Sequence, residues 1–127
     1  KQLFTSIDCY ITGSIDPGLF TVKGQTAPGI SLEQGEEAVR YELNKLKSGL
    51  VNPRELEKVK NKFEAEHLIG LISYLNIATQ LAYFELNGKA EDMMGEVARY
   101  RSVTAEQILC VSLSALKNPS ILYYLNS

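Results

Sequence analysis

The sequence predicts an α+β fold in which helices pack on one face of an antiparallel or mixed sheet, and three observations carry that prediction. A strand-like stretch opens the chain, several helical stretches with capping signals fill its middle, and a short apolar and aromatic run lies near its end. Strands, then successive helices, then a returning strand is the order of a two-layer arrangement rather than of alternating βα units.

The opening stretch, Leu3 to Gln25, is rich in β-branched and aromatic residues. Apolar Ile7, Cys9 and Ile11 alternate with Ser6, Asp8, Tyr10 and Thr12, the period of a half-buried strand. Asp16-Pro17-Gly18 then joins a residue of fixed φ to one that tolerates positive φ, and Leu19 to Lys23 returns in strand composition. A β-hairpin over residues 3–26 is expected.

Helical signals follow. Ser31 with Gln34 forms a capping box, in which each side chain satisfies the other residue's backbone N–H. Val39, Leu43 and Leu46 recur at helical spacing, and Gly49 stands where a left-handed terminating residue is expected. Asn52 caps the next helix and Pro53 suits its first position, with Leu56, Val59 and Phe63 as the inner stripe. From Leu68 to Phe84 the pattern is apolar nearly all round, predicting a deeply packed helix bent near Gly70 or Ser73 and ended by Gly88. A short helix over about 90–100 precedes a second capping box at Thr104 and Gln107, and Pro119 closes the last helix.

These readings give one partial domain over residues 1–127, with a hairpin at 3–26, helices over 31–117 and a C-terminal strand at 120–126 that rejoins the sheet. Two or three strands are thin support for so much helix. The chain also opens on Lys1 in strand-like sequence, so a domain truncated on its N-terminal side, with strands upstream completing the sheet, is the expectation.

Composition excludes several function classes. With 13 basic and 15 acidic residues the net charge is -2, which offers no electrostatic footprint for nucleic acid or an anionic membrane. The longest apolar runs are far too short to cross a bilayer, and a soluble chain is expected. Cys9 and Cys110 have no paired spacing, which argues against a zinc knuckle, a redox pair or a disulfide framework and for buried small hydrophobes.

The single histidine, His67, narrows the search for chemistry. Glu64 and His67 form a Glu-x-x-His unit on one helical face, but carboxylate-bridged metal sites use two such units. A partly exposed helical pair is the stronger reading, and no metal site is expected. Ser-His-Asp and Cys-His arrangements would both have to pass through the same imidazole. Gly13, Gly18, Gly24 and Gly29 are spaced as turn and bulge residues rather than as a phosphate-cradling loop. The alternating charges from Arg54 to Glu66 read as a solvated face. Tyr74, Tyr83, Tyr123 and Tyr124 read as packed tyrosines reaching a partner with the hydroxyl. No catalytic residue is expected in this segment.

One ordered set of motifs is more specific. Asp16-Pro17-Gly18-Leu19-Phe20 in a hairpin is followed by a helix closing on Lys47-Ser48-Gly49, then by Val51-Asn52-Pro53-Arg54-Glu55-Leu56-Glu57-Lys58-Val59-Lys60. An apolar helix from Ile77 ends on Glu85-Leu86-Asn87-Gly88, and Tyr100-Arg101-Ser102-Val103-Thr104 leads into the final helix. In order and spacing this set resembles the C-terminal part of a non-catalytic domain in the pitrilysin/insulinase family of zinc metallopeptidases, and the likeness covers nearly the whole chain.

The resemblance implies paired homologous halves that close around an unfolded peptide. Zinc would lie only in the half bearing an inverted His-x-x-Glu-His motif, which a chain with one histidine cannot contain. This segment would then be a structural, non-catalytic wall of the peptide chamber, partnered by a homologous catalytic half-domain or subunit and by peptide substrate, with zinc in that other half. The family's non-catalytic half also contributes an arginine and a tyrosine, seven residues apart, that grip the substrate backbone. Here the arginine position precedes Lys1, and the tyrosine position falls on Thr5. Tyr10, of opposite strand parity to Thr5, is expected on the other face of the sheet. The alternative is a protein–protein interaction module with only architectural likeness to the peptidase.

Overall fold

The computed structural model describes residues 2–12 and 16–125. The fold is α+β. It divides into two compact units, Lys1–Gly49 with Leu109–Ser127, and Leu50–Ile108.

In the first unit, β1 (Phe4–Thr12) and β2 (Leu19–Thr26) form a two-stranded antiparallel sheet. The predicted turn residues Asp16-Pro17-Gly18 lie between the two strands, and residues 13–15 of the connection lie outside those described. The register runs regularly from Thr12↔Leu19 to Ser6↔Gln25 and then shifts, with Phe4 opposite Thr26, so Thr5 is the extra residue of a β-bulge. Side-chain positions agree. A Cβ built on Gly24 would lie 2.9 Å from the Phe4 ring and 3.8 Å from Ile7 Cγ1, so Phe4 and Ile7 reach the same side of the sheet. Unbroken alternation would place residues at that odd separation on opposite faces.

Helix α1 (Leu32–Ser48) packs on this side. A Cβ on Gly35 would come within 2.8 Å of Thr26 Cγ2 and 3.3 Å of the Phe4 ring, so the missing side chain lets helix and strand approach closely. The predicted capping box is formed, with Gln34 N–H donating to Ser31 Oγ at 3.2 Å and Ser31 N–H to Gln34 Oε1 at 3.1 Å. Gly49 departs from expectation. Its φ of 179° is extended, so the helix ends without a left-handed residue.

The expected half-buried strand is also corrected. Ile7 and Ile11 are 50% and 72% exposed, because α1 reaches only the end of the hairpin near Phe4 and Gly24 and nothing else among the described residues covers the rest.

The expected C-terminal strand does not form over 120–125, and residue 126 lies outside those described. The composition of Ile121 to Leu125 suits a strand, but such propensity is expressed only where a neighbouring strand supplies ladder partners. Tyr123 instead donates its hydroxyl to the Glu36 carboxylate on α1.

The second unit is helical. In α2 (Pro53–Gly70), Asn52 Oδ1 accepts from Arg54 N–H at 2.8 Å with Pro53 at the first turn, as the sequence predicts. The long bent helix expected beyond Leu68 is two helices. Ile72 N–H bonds Ile69 O and Ser73 N–H bonds Gly70 O, tightening the end of α2, and Ser73 Oγ then accepts from Asn76 N–H to start α3 (Tyr74–Asn87). A serine able to cap offers the backbone a better solution than a strained bend. A 3₁₀ helix (Ala90–Gly95) and α4 (Glu96–Ser102) replace the single short helix expected over 90–100.

Thr104 and Gln107 form the second predicted capping box and open α5 (Ala105–Ala115), whose first turn belongs to this unit and whose remainder belongs to the first. Among the described residues the one buried hydrophobic residue is Met93, in the 3₁₀ helix. No helix among them is long and apolar enough to cross a membrane.

Candidate functional site

The sequence singles out His67 and Glu64 on α2, and the structure separates their roles. Glu64 turns to Arg101, whose guanidinium bonds it through both Nε and Nη2 and also reaches Asn61 Oδ1 at 2.8 Å and Glu57 at 3.4 Å. Lys60 Nζ donates to the Arg101 carbonyl at 2.9 Å, so α2 grips the end of α4 through both backbone and side chain. Arg101 is invisible to a site search by sequence, yet it stands within the Tyr100 to Thr104 motif. Its position there is explained by this clamp.

His67 is not the partly exposed partner of Glu64 that the sequence predicts. Its side chain is 9% exposed, and Nδ1 lies 3.4 Å from Glu96 Oε2 at the first position of α4. The covering comes from neighbouring turns. Phe63 lies one turn before it on α2 with ring centroids 6.1 Å apart, and Phe63 in turn stacks on Tyr100 of α4.

Beside His67 opens a cleft of about 360 Å³, walled by Phe63, Tyr83 and Phe84 and edged by Glu66, Glu96 and Gln80. Gln80 Oε1 is shielded from solvent there and has no hydrogen-bond partner among the described residues. An unsatisfied buried acceptor costs about 1–3 kcal/mol. Glu96 and Gln80 come from different helices, so no sequence spacing relates them to His67.

The remaining candidates disperse. Both cysteines are exposed, correcting the expectation of buried small residues. Partial loss of water still pushes the Cys9 thiol up, away from the thiolate a nucleophile requires. No group of three or more His, Cys, Asp or Glu that could hold a metal stands together among the described residues, and these side chains do not fit a zinc centre. Tyr123 behaves as the sequence predicts of a tyrosine, reaching Glu36 with its hydroxyl.

Thr5 sits in the bulge, its Oγ1 donating to Gln25 O at 3.2 Å. Because Phe4 and Ile7 share the α1 side, Thr5 and Ser6 together fill one place on the opposite face, the face of Asp8 and Tyr10. The expected separation of Tyr10 from Thr5 is thereby corrected. The alternation on which it rested does not pass through the bulge.

With the hairpin, α1 and most of α2 in place, the comparison with known families is decisive for this part of the chain. Residues 1–63 match the family model of the peptidase M16 inactive domain. Over those residues the chain belongs to the M16 inactive-domain family.

The M16 assignment agrees with solved folds. A protease from Helicobacter pylori superimposes with a TM-score of 0.81 at 19% identity, over 91% of this chain and 28% of that one. A candidate zinc protease from Bordetella pertussis Tohama I superimposes with a TM-score of 0.75 at 17% identity, over 91% of this chain and 63% of that one. The chain thus spans less than two thirds of either protein. Among curated protein sequences nothing matches it. The M16-like domain described here is non-catalytic, as the family model's description states.

Proposed function

We propose that this chain is the structural, non-catalytic C-terminal segment of a pitrilysin/insulinase-like zinc peptidase and forms part of the wall of its peptide-substrate chamber. The observation that carries this reading is the match of residues 1–63 to the M16 inactive domain, which spans the hairpin, α1 and most of α2. Zinc and the general-base glutamate belong, on this reading, to a homologous catalytic half-domain or subunit. That partner and an unfolded peptide are the molecules this segment meets.

Within the segment, Thr5 takes the place of the family's substrate-gripping tyrosine. Its hydroxyl is already turned to Gln25 O, and a phenol on the same face comes from Tyr10. The wall would therefore contact peptide without the usual grip.

Site-specific photo-crosslinking in the assembled peptidase tests this. A crosslinker at Tyr10 should capture an extended peptide substrate, and one at Lys58 on α2 should not. Capture at Lys58 alone would sink the chamber-wall reading.

A second reading, an interaction module with only architectural likeness to a peptidase, is favoured by the exposed Ile11 and Leu19 at the hairpin. Light scattering separates the two. Specific partner binding by this chain and by a longer form alike favours the module, and self-association confined to the short form opposes it.

A further inference from the structure

We infer that the outward face of α3 binds a second copy of this chain, the two α3 helices packing antiparallel about a two-fold axis. This goes beyond the chamber-wall reading and does not depend on it.

Helix α3 carries two stripes. Ile77, Gln80 and Phe84, partly buried, form the inner one, while Leu75, Thr79, Ala82 and Leu86 recur on the opposite side at the alternating spacing of a helix-pairing seam. That seam lies in solvent. Leu75 is 76% and Leu86 69% exposed, and Thr79 and Ala82 are exposed as well. A helix apolar on both sides is ordinarily covered on both.

The extent and chemistry of the face suit a protein partner. With Ile72, Tyr74 and Tyr83 beside them, the two leucines expose on the order of 700 Å², above the largest apolar patch of a typical monomer and close to one partner's share of a standard interface. The one charged side chain of α3, Glu85, accepts from Ala90 N–H at 2.9 Å, and the Thr79 hydroxyl donates within the helix to Leu75 O at 2.8 Å. The seam can therefore lose water without stranding a charge or a hydroxyl proton.

Symmetry names the occupant. Leu75 and Leu86 are equidistant from the midpoint of the seam, and so are Thr79 and Ala82. An antiparallel copy thus sets leucine against leucine at each end and Thr79 against Ala82 in the middle, the self-complementarity that a two-fold interface requires. The small middle side chains let the helix axes approach to about 8 Å.

Sedimentation equilibrium of the full chain and of two charge variants tests this. The unaltered chain should show a concentration-dependent dimer. Thr79→Glu and Ala82→Lys, at exposed positions, should leave the thermal melt by circular dichroism unchanged. Each should weaken the dimer by about tenfold or more, because two like charges approach across the axis. An equal mixture of the two variants should restore dimers, since the introduced carboxylate then faces the introduced ammonium. A monomeric unaltered chain, variants that associate as the unaltered chain does, or a mixture that stays monomeric would each overturn the proposal. So would a longer form that is monomeric, which would assign the cover of α3 to the rest of that protein.

Discussion

The Tyr123 hydroxyl donates to the Glu36 carboxylate at 2.5 Å, joining the C-terminal segment to α1 across 87 positions of sequence. Arg40, one turn along α1, holds the other carboxylate oxygen at 2.5 Å. The bond from Tyr123, and then that from Arg40, lowers the Glu36 carboxyl below its ordinary value, and the same bond raises the Tyr123 phenol.

The sign of the pH dependence follows. A depressed carboxyl contributes stability that is present above its unfolded value, about 4.3, and is lost as pH falls through the folded one. A raised phenol contributes stability that is present below about 10 and is lost as pH rises through its folded value. Protection of residues 120–125 from hydrogen exchange, taken relative to the intrinsic rate at each pH, should therefore be greatest between these limits. Tyr123→Phe should remove that dependence. A pH profile identical in the variant would show that the bond does not hold the segment.

Arg101→Ala removes the side-chain half of the clamp from α4 onto Glu57, Asn61 and Glu64. The guanidinium is 38% exposed, so solvent screens the ion pairs and the expected loss is modest, about 1 kcal/mol by urea unfolding. Arg101→Lys should recover only part of it, since an ammonium cannot reproduce the planar fork. Added salt should shrink the difference between wild type and Arg101→Ala.

Ser112 is 5% exposed and donates its hydroxyl to Leu46 O near the end of α1 at 2.9 Å. Ser112→Ala leaves that carbonyl short of a partner at a helix terminus, where carbonyls already lack intrahelical donors. A loss of about 1–3 kcal/mol in chemical denaturation is expected. A change within experimental error would mean that water replaces the hydroxyl.

Gly35 and Gly49 should respond in opposite ways to alanine. At Gly35 the new methyl would meet Thr26 Cγ2 at 2.8 Å and the Phe4 ring at 3.3 Å, forcing α1 off the hairpin at a cost of about 1–3 kcal/mol. At Gly49 a Cβ meets nothing within 4 Å and the backbone is extended, so Gly49→Ala should be neutral or slightly stabilising. Thermal melts of the two variants, compared directly, check the pair.

The sequence by itself determined the features whose physics is local. Capping at Ser31, Asn52 and Thr104 was legible because donor and acceptor lie within a few residues, and so the helix starts fell where the residues predicted. The hairpin and the family likeness were legible for the same reason, the one from composition and the other from ordered short motifs. Tertiary structure alone decided the rest. The bulge at Thr5 depends on cross-strand register, which alternation within one strand cannot reveal, and it put Tyr10 on the face of Thr5.

The same distinction applies to Ile121–Leu125 and to His67. Strand composition near the end of the chain found no ladder to join, and Tyr123 was held by a carboxylate on α1 instead. A histidine read as one half of a pair with Glu64 was covered by Phe63 and matched to Glu96, because its surroundings are assembled from helices whose mutual approach no spacing encodes.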